Sequence, residues 1–279
     1  MSINYIDCHM HTSFSPDAKS SPIEMCNRAE ELNLAAYAIT DHCDVNYWNK
    51  SEDECIVDFD MYGSGEYALN SIERVSKLKF DFPNLICGIE LGQPLQNIEK
   101  AEIIAKDPRL DFIIGSHHMN KNEYDFYYLK YNEMNPQQIY DLLENYFLQV
   151  LEMCRWGKFD VLGHLTYPLR YICGEYSIKI DLSRYNDIIC EIYKTLIQNN
   201  KGIEINTSGL RQKYGKTFPY LNYIKLFRDL GGEIITIGSD SHCVEDLGKG
   251  ISNGVELAIQ AGFKYITYFK NRKPNMIKI

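Results

Sequence analysis

Seven histidines are spread over 279 residues, and every one stands at the end of a short apolar run. His9 and His11 close the first run in Asp7-Cys8-His9-Met10-His11, and His42 closes the second in Thr40-Asp41-His42. His117 and His118 end the fourth, His164 the fifth, and His242 the seventh in Ser239-Asp240-Ser241-His242, while the third carries Glu90 at its end. Imidazole nitrogens and carboxylate oxygens are the donors that first-row divalent metals take. One H-x-H pair, or one histidine at a strand end, is ordinarily just a hydrogen-bonded side chain. All seven at strand ends with acidic companions point to a metal cluster. Residues two apart on a strand face the same way, so His9 and His11 share a side, as do Asp240 and His242. Asp7 and Asp41 are expected to orient liganding histidines, as carboxylates outside a ligand set often do.

Such a cluster needs a scaffold that delivers all these strand ends to one place. The runs read as strands are 4–11, 35–42, 84–92, 112–119, 161–167, 202–209 and 233–242. Amphipathic stretches alternate with them. In 136–156, Ile139, Leu142, Leu143, Tyr146, Phe147, Val150 and Met153 follow the spacing of one apolar helical face. Another helix opens at Ser21, with Pro22 in its first turn and Glu24 closing a capping box, and its apolar face includes Met25, Ala29 and Leu32. Seven strands alternating with helices predict parallel βαβ units closed into an α/β barrel, with an open doubly wound sheet as the alternative. In a parallel barrel all strand C-termini open onto one face, which carries the active site. The irregular, acidic stretch 43–65 has the length of an active-site lid.

The bulk properties fit this scaffold. A single (β/α) barrel needs roughly 250 residues, and no linker, low-complexity tract or composition break interrupts the chain, so one domain over 1–279 is expected. The N-terminus lacks a basic, apolar signal segment, and the longest apolar run, Leu34 to Ile39, is too short to span a membrane. Nine cysteines, odd in number and without a C-x-x-C pair, read as reduced thiols in a cytoplasmic protein. A formal charge of −9 disfavours a nucleic-acid partner. Oligomeric state is not legible.

Taken in order, D-x-H-x-H, T-D-H, G-x-E, G-S-x-H, G-H and S-D-x-H are the motifs of the polymerase-and-histidinol-phosphatase (PHP) superfamily, which the chain resembles nearly end to end. Asp17 in Ser15-Pro16-Asp17-Ala18 and the run from Glu204 to Arg211 look most like the histidinol-phosphatase branch. The resemblance implies a distorted seven-stranded, TIM-like (β/α) barrel with two to three divalent ions, zinc, iron or manganese. One would take His9, His11, Glu90 and Asp240; a second would share Glu90 and add His118 and His164; a third would take Asp17, His42 and His242. Strand alternation lets only one of His117 and His118 face the ions, and the motif selects His118.

The implied reaction is hydrolysis of a small phosphate monoester, L-histidinol phosphate in histidine biosynthesis, by attack of a metal-bound hydroxide. No side chain is assigned a catalytic role beyond that hydroxide. Neither a G-x-S-x-G elbow nor a phosphate-binding P-loop is present. Arg211 and Arg170 follow strands six and five onto the metal-bearing face, where a guanidinium fork suits phosphate. Asp44, Glu52 or Asp53 could receive the cationic groups of histidinol. The alternatives are another phosphomonoester, a nucleic-acid phosphodiester, and a catalytically silent metal-stabilised module.

Overall fold

The computed structural model describes residues 4–48 and 65–279. Glu52, Asp53 and most of the expected lid therefore lie outside the described residues.

A mostly parallel sheet runs in the order β1 (Ile6–Met10), β2 (Ala36–Ile39), β4 (Leu85–Gly92), β5 (Phe112–Ser116), β6 (Val161–Leu162), β7 (Gly202–Asn206) and β8 (Ile235–Gly238), with the short β3 (His42–Asp44) also pairing with β4. These strands are buried along nearly their whole length, as expected when both faces of a parallel sheet are covered. The second expected strand is broken into β2 and β3, and β3 sets His42 in register with Glu90. The sheet nearly closes on itself. Met10 bridges Ser241 in parallel, Asp240 N donates to His9 O at 2.7 Å, and His11 N donates to Ser241 O at 2.8 Å. The barrel expected from the alternation of elements is thus the observed architecture.

Helices α1 (Pro22–Glu31), α2 (Glu66–Leu78), α3 (Ile98–Ala105), α4 (Pro136–Trp156), α5 (Asn186–Gln198), α6 (Leu221–Asp229) and α7 (Ile251–Gln260) lie between the strands. α1 carries the expected capping box, with Ser21 and Glu24 each satisfying the other's backbone N–H. Met25 and Ala29 are buried, but Leu32, at the C-cap where the helix ends, is exposed. α4 has the expected bounds and buries all seven expected residues; Asn135 and Gln138 cap its start, and Gly157 ends it at φ 62°. None of these helices is long and apolar enough to cross a membrane. The eight described cysteines are all free.

One element was not anticipated. β9 (Tyr265–Lys270) and β10 (Lys273–Lys278) form an antiparallel hairpin turned by Asn271 and Arg272, both at positive φ, as a two-residue hairpin turn requires. The hairpin closes the N-terminal end of the barrel. Phe269 stacks on Phe112, Asn271 N donates to Asp111 Oδ1 at 2.9 Å, and Arg272 Nε reaches Asp160 Oδ2 at 2.6 Å.

Candidate metal centre

Glu90, two residues inside the C-terminal end of β4 and 1% exposed, lies at the centre of the mouth. Its Oε1 accepts from Ser116 Oγ at 2.7 Å and lies 2.8 Å from His164 Nε2 and 3.2 Å from His118 Nε2. Its Oε2 lies 3.5 Å from His9 Nε2, 3.6 Å from His11 Nε2 and 2.9 Å from His42 Nδ1. Yet Oε2 is buried with no hydrogen bond among the described residues. Such spacings fit a shared coordination shell, because two ligands about 2.0–2.1 Å from one ion at a tetrahedral angle stand about 3.3 Å apart.

The cluster continues beyond Glu90. His11 Nε2 is 3.3 Å from Asp240 Oδ1, and the His11 ring lies 4.2 Å from that of His242 and 4.3 Å from that of His42. Asp17, from the loop after β1, places Oδ2 3.2 Å from His242 Nε2 and 3.6 Å from His42 Nε2. All nine positions singled out for metals meet in one place. Their donor atoms group as His9–His11–Glu90, Glu90–His118–His164 and His11–His42–His242, plus an unexpected His42–Asp44–His118 set. These groupings suit divalent cations.

The outer contacts set which ring nitrogen faces inward. His9 Nδ1 lies 2.6 Å from Glu204 Oε1, His118 Nδ1 3.3 Å from Asp44 Oδ1, His11 Nδ1 3.2 Å from Ser15 Oγ, and His242 Nδ1 3.1 Å from the Asp240 carbonyl. In each case a proton on Nδ1 leaves the Nε2 lone pair to the cluster. Asp44, expected to meet the substrate, thus sits among the histidines, where Gln93 Nε2 also donates to it at 3.0 Å.

Neither Asp7 nor Asp41 touches an imidazole, contrary to expectation. Asp7 accepts from Ser239 N at 2.8 Å and Gly248 N at 3.0 Å, so it fastens β1 to the segment after β8. Asp41 accepts from Thr12 N at 2.6 Å and Ser15 Oγ at 2.7 Å, and its influence reaches His11 only through that serine. Burial pushes both carboxyls upward despite these hydrogen bonds. His117 and His118 point to opposite sides of the chain. His118 turns to Glu90, whereas His117 Nε2 lies 3.4 Å from Asn120 Oδ1 beside Tyr146, held down at about 3 mainly by burial.

The two arginines part company. Arg170, at the start of a π-helical turn, lines the pocket and donates through Nη2 to Asp240 Oδ2 at 3.0 Å and Ser208 Oγ at 2.8 Å. Its Nε is buried without a hydrogen-bond partner among the described residues. Arg211 turns the other way. Its guanidinium donates to the carbonyls of Ser239 at 2.8 Å and Asp240 at 3.2 Å, at the left-handed turn at Asp240 (φ 54°), and its Nε lies 3.5 Å from Asp246 Oδ2, so main-chain and carboxylate acceptors of this segment engage it.

Charge in the mouth is strongly coupled. Burial opposes ionisation of Glu90 and Asp240, but the surrounding imidazoles hold both carboxyls well below the usual range. Burial pulls His118 down, and Glu90 and Asp44 then carry it up to about 10. His11 goes the other way, to about 3, through burial and the neighbouring His242 and His42.

The cluster opens into a pocket of about 410 Å³. Arg170, Asp125 and the rings of Tyr127, Tyr128, Tyr167 and Tyr171 line it beside the histidines. Asp125 went unnoticed in the sequence. Its Oδ1 accepts from Tyr127 N at 2.7 Å and Tyr167 Oη at 3.4 Å, and burial, partly offset by His118, lifts its carboxyl to about 6.

Comparison with known proteins places this geometry among relatives. The model of the PHP domain matches residues 7–208. A protein named "Probable histidinol-phosphatase" from Clostridium acetobutylicum is 30% identical over 95% of this chain and 96% of its own length. The histidinol-phosphatase of Lactococcus lactis is 27% identical over 96% and 95%. The fold superposes with a TM-score of 0.77, at 25% identity and over 98% of this chain and 100% of the other, on a crystal structure of histidinol phosphate phosphatase from Lactococcus lactis complexed with zinc, L-histidinol and phosphate.

Proposed function

The chain belongs to the PHP domain family, and from that premise we propose that it is a metal-dependent phosphomonoesterase hydrolysing L-histidinol phosphate to L-histidinol and phosphate in histidine biosynthesis. The observation that carries this reading is the convergence on Glu90 of five imidazoles, from the ends of four strands, each within 3.6 Å of its carboxylate, with a pocket opening directly from them. We assign two to three divalent ions, of zinc, iron or manganese, to this cluster: His9, His11, Glu90 and Asp240 for one, Glu90, His118 and His164 for a second, and Asp17, His42 and His242 for a third. Such ions supply a nucleophile from water near neutral pH and neutralise charge as phosphorus is attacked.

The remaining roles fall to the chain's own side chains. Arg170, with its unpartnered Nε, meets the non-bridging phosphate oxygens from the side of Asp240. The alcohol portion of the substrate carries an ammonium and an imidazole, which a carboxylate and aromatic faces recognise. Asp125 and the tyrosines 127, 128, 167 and 171 offer both. A pocket of about 410 Å³ suits a small monoester better than a polymeric phosphodiester, and the net charge of −9 adds to that preference.

The test is a comparison of kcat/KM at defined metal loading for L-histidinol phosphate, glycerol 3-phosphate, bis(p-nitrophenyl) phosphate and a short single-stranded DNA. Histidinol phosphate is expected to rank first. A higher value for glycerol 3-phosphate would replace the substrate, activity on the diester or DNA alone would move the chain to nucleic-acid chemistry, and no turnover by fully loaded protein would leave a silent metal module.

A further inference from the structure

Strand β7 supplies none of the nine assigned ligands, yet it places two polar side chains, Glu204 and Asn206, inside the barrel among them. Two residues apart on one strand, they face the same way. Glu204 is 1% exposed and spans two other strands. Its Oε1 lies 2.6 Å from His9 Nδ1, on β1, and its Oε2 accepts from the main-chain N–H of His164, just past β6, at 2.9 Å. Asn206 Nδ2 then donates to Glu204 Oε2 at 3.3 Å and to Asp240 Oδ2, past β8, at 3.2 Å. The space for this is made by Gly238, where a Cβ would stand 2.3 Å from His9 Cβ and 2.4 Å from Glu204 Oε1.

We propose that Glu204 is a positioning residue for the metal centre, fixing His9 with its proton on Nδ1 and its Nε2 lone pair inward while tying His164 to the same carboxylate. The proposal rests on the metal reading above but not on the identity of the substrate. Its two carboxylate oxygens are used as two acceptors, one for a ring N–H and one for a backbone N–H. A glutamine offers one acceptor and one donor, so it cannot serve both.

The experiment compares Zn²⁺ affinity of wild type and Glu204→Gln, by chelator competition on protein whose fold is verified by circular dichroism. The folded variant is expected to bind Zn²⁺ roughly ten- to hundredfold more weakly, the usual consequence of removing a carboxylate behind a liganding histidine. Equal affinity, even with a lowered melting temperature, would reduce Glu204 to a structural residue and overturn the proposal. Should the variant not fold, ¹⁵N imidazole spectra of Zn²⁺-loaded wild type decide. A protonated Nδ1 and a metal-bound Nε2 are expected at His9, and the reverse assignment overturns the proposal. Wild type that takes up no Zn²⁺ would defeat the metal reading as well, which separates the two failures.

Discussion

Both ends of the barrel bury carboxylates, and they complete them differently. At the N-terminal end, Asp111 accepts from Cys87 N at 3.0 Å, Asn271 N at 2.9 Å and Lys79 Nζ at 2.6 Å, and Asp160 accepts from Ile113 N at 2.8 Å and Arg272 Nε at 2.6 Å. Main-chain donors and permanent cations from the same chain satisfy these groups. At the mouth, Glu90 faces five imidazoles, and one of its oxygens has no hydrogen bond among the described residues. A buried carboxylate without a fixed cation is costly. One end is finished by the fold; the other is finished by what binds there.

The largest expected effect tests that contrast directly. Glu90→Gln should lose bound metal by elemental analysis and lower kcat by more than about a hundredfold, beyond the cost of losing an outer carboxylate. Asp160→Asn should keep its metal and activity and instead lose roughly 1.5–3 kcal/mol of stability, the worth of a charged hydrogen bond, seen as a lower Tm. If Asp160→Asn loses metal, or Glu90→Gln keeps it, the two ends do not differ in the way argued.

Next in size is the contrast between the arginines. Arg170→Ala should cost about ten- to hundredfold in kcat/KM on phosphomonoesters, from roughly 1.5–3 kcal/mol of charged contact, and added metal should not restore it. Arg211→Ala should instead loosen the left-handed turn at Asp240, so that its smaller defect is relieved by excess metal. Full metal occupancy in Arg211→Ala together with a loss like that of Arg170→Ala would put Arg211 on the phosphate after all.

The smallest effect is in pH. In metal-free protein His118 sits at about 10, above an unfolded value of about 6.5. A raised folded value stabilises fully below the unfolded one and is lost as pH rises through the folded one. Metal-free protein should therefore show a falling urea midpoint as pH approaches about 10, and Zn²⁺-loaded protein, whose His118 has already given up that proton, should not. Parallel declines in both forms would refute the assignment.

Much of this was legible in the sequence because two periodicities carry it. A helix such as α4 declares itself through seven apolar positions on one face, and histidines at strand ends declare the mouth through topology alone. Strand alternation likewise separates His117 from His118. What escaped lies in side chains whose direction no periodicity fixes. Arg211 stands where expected, but its long guanidinium arm found backbone carbonyls. Asp7 and Asp41 neighbour histidines in sequence while serving main-chain amides in space. Glu204 and Asn206 did leave a signal, two polar residues at alternating positions of the apolar run Gly202–Asn206. The hairpin left one too, in the β-branched and aromatic residues of Tyr265–Lys270 before Asn271 and Arg272.

The seam between the first and last strands of the barrel bears on how the protein is made. Asp240 N donates to His9 O, and His11 N to Ser241 O, so the earliest and latest parts of the mouth are held by each other. During synthesis, a ribosome has delivered His9, His11 and Glu90 long before Asp240 and His242 exist. An ion captured by the nascent chain would meet an incomplete shell and exchange freely. The finished site therefore forms only after Asp240 and His242 have joined the segment that carries His9, His11 and Glu90.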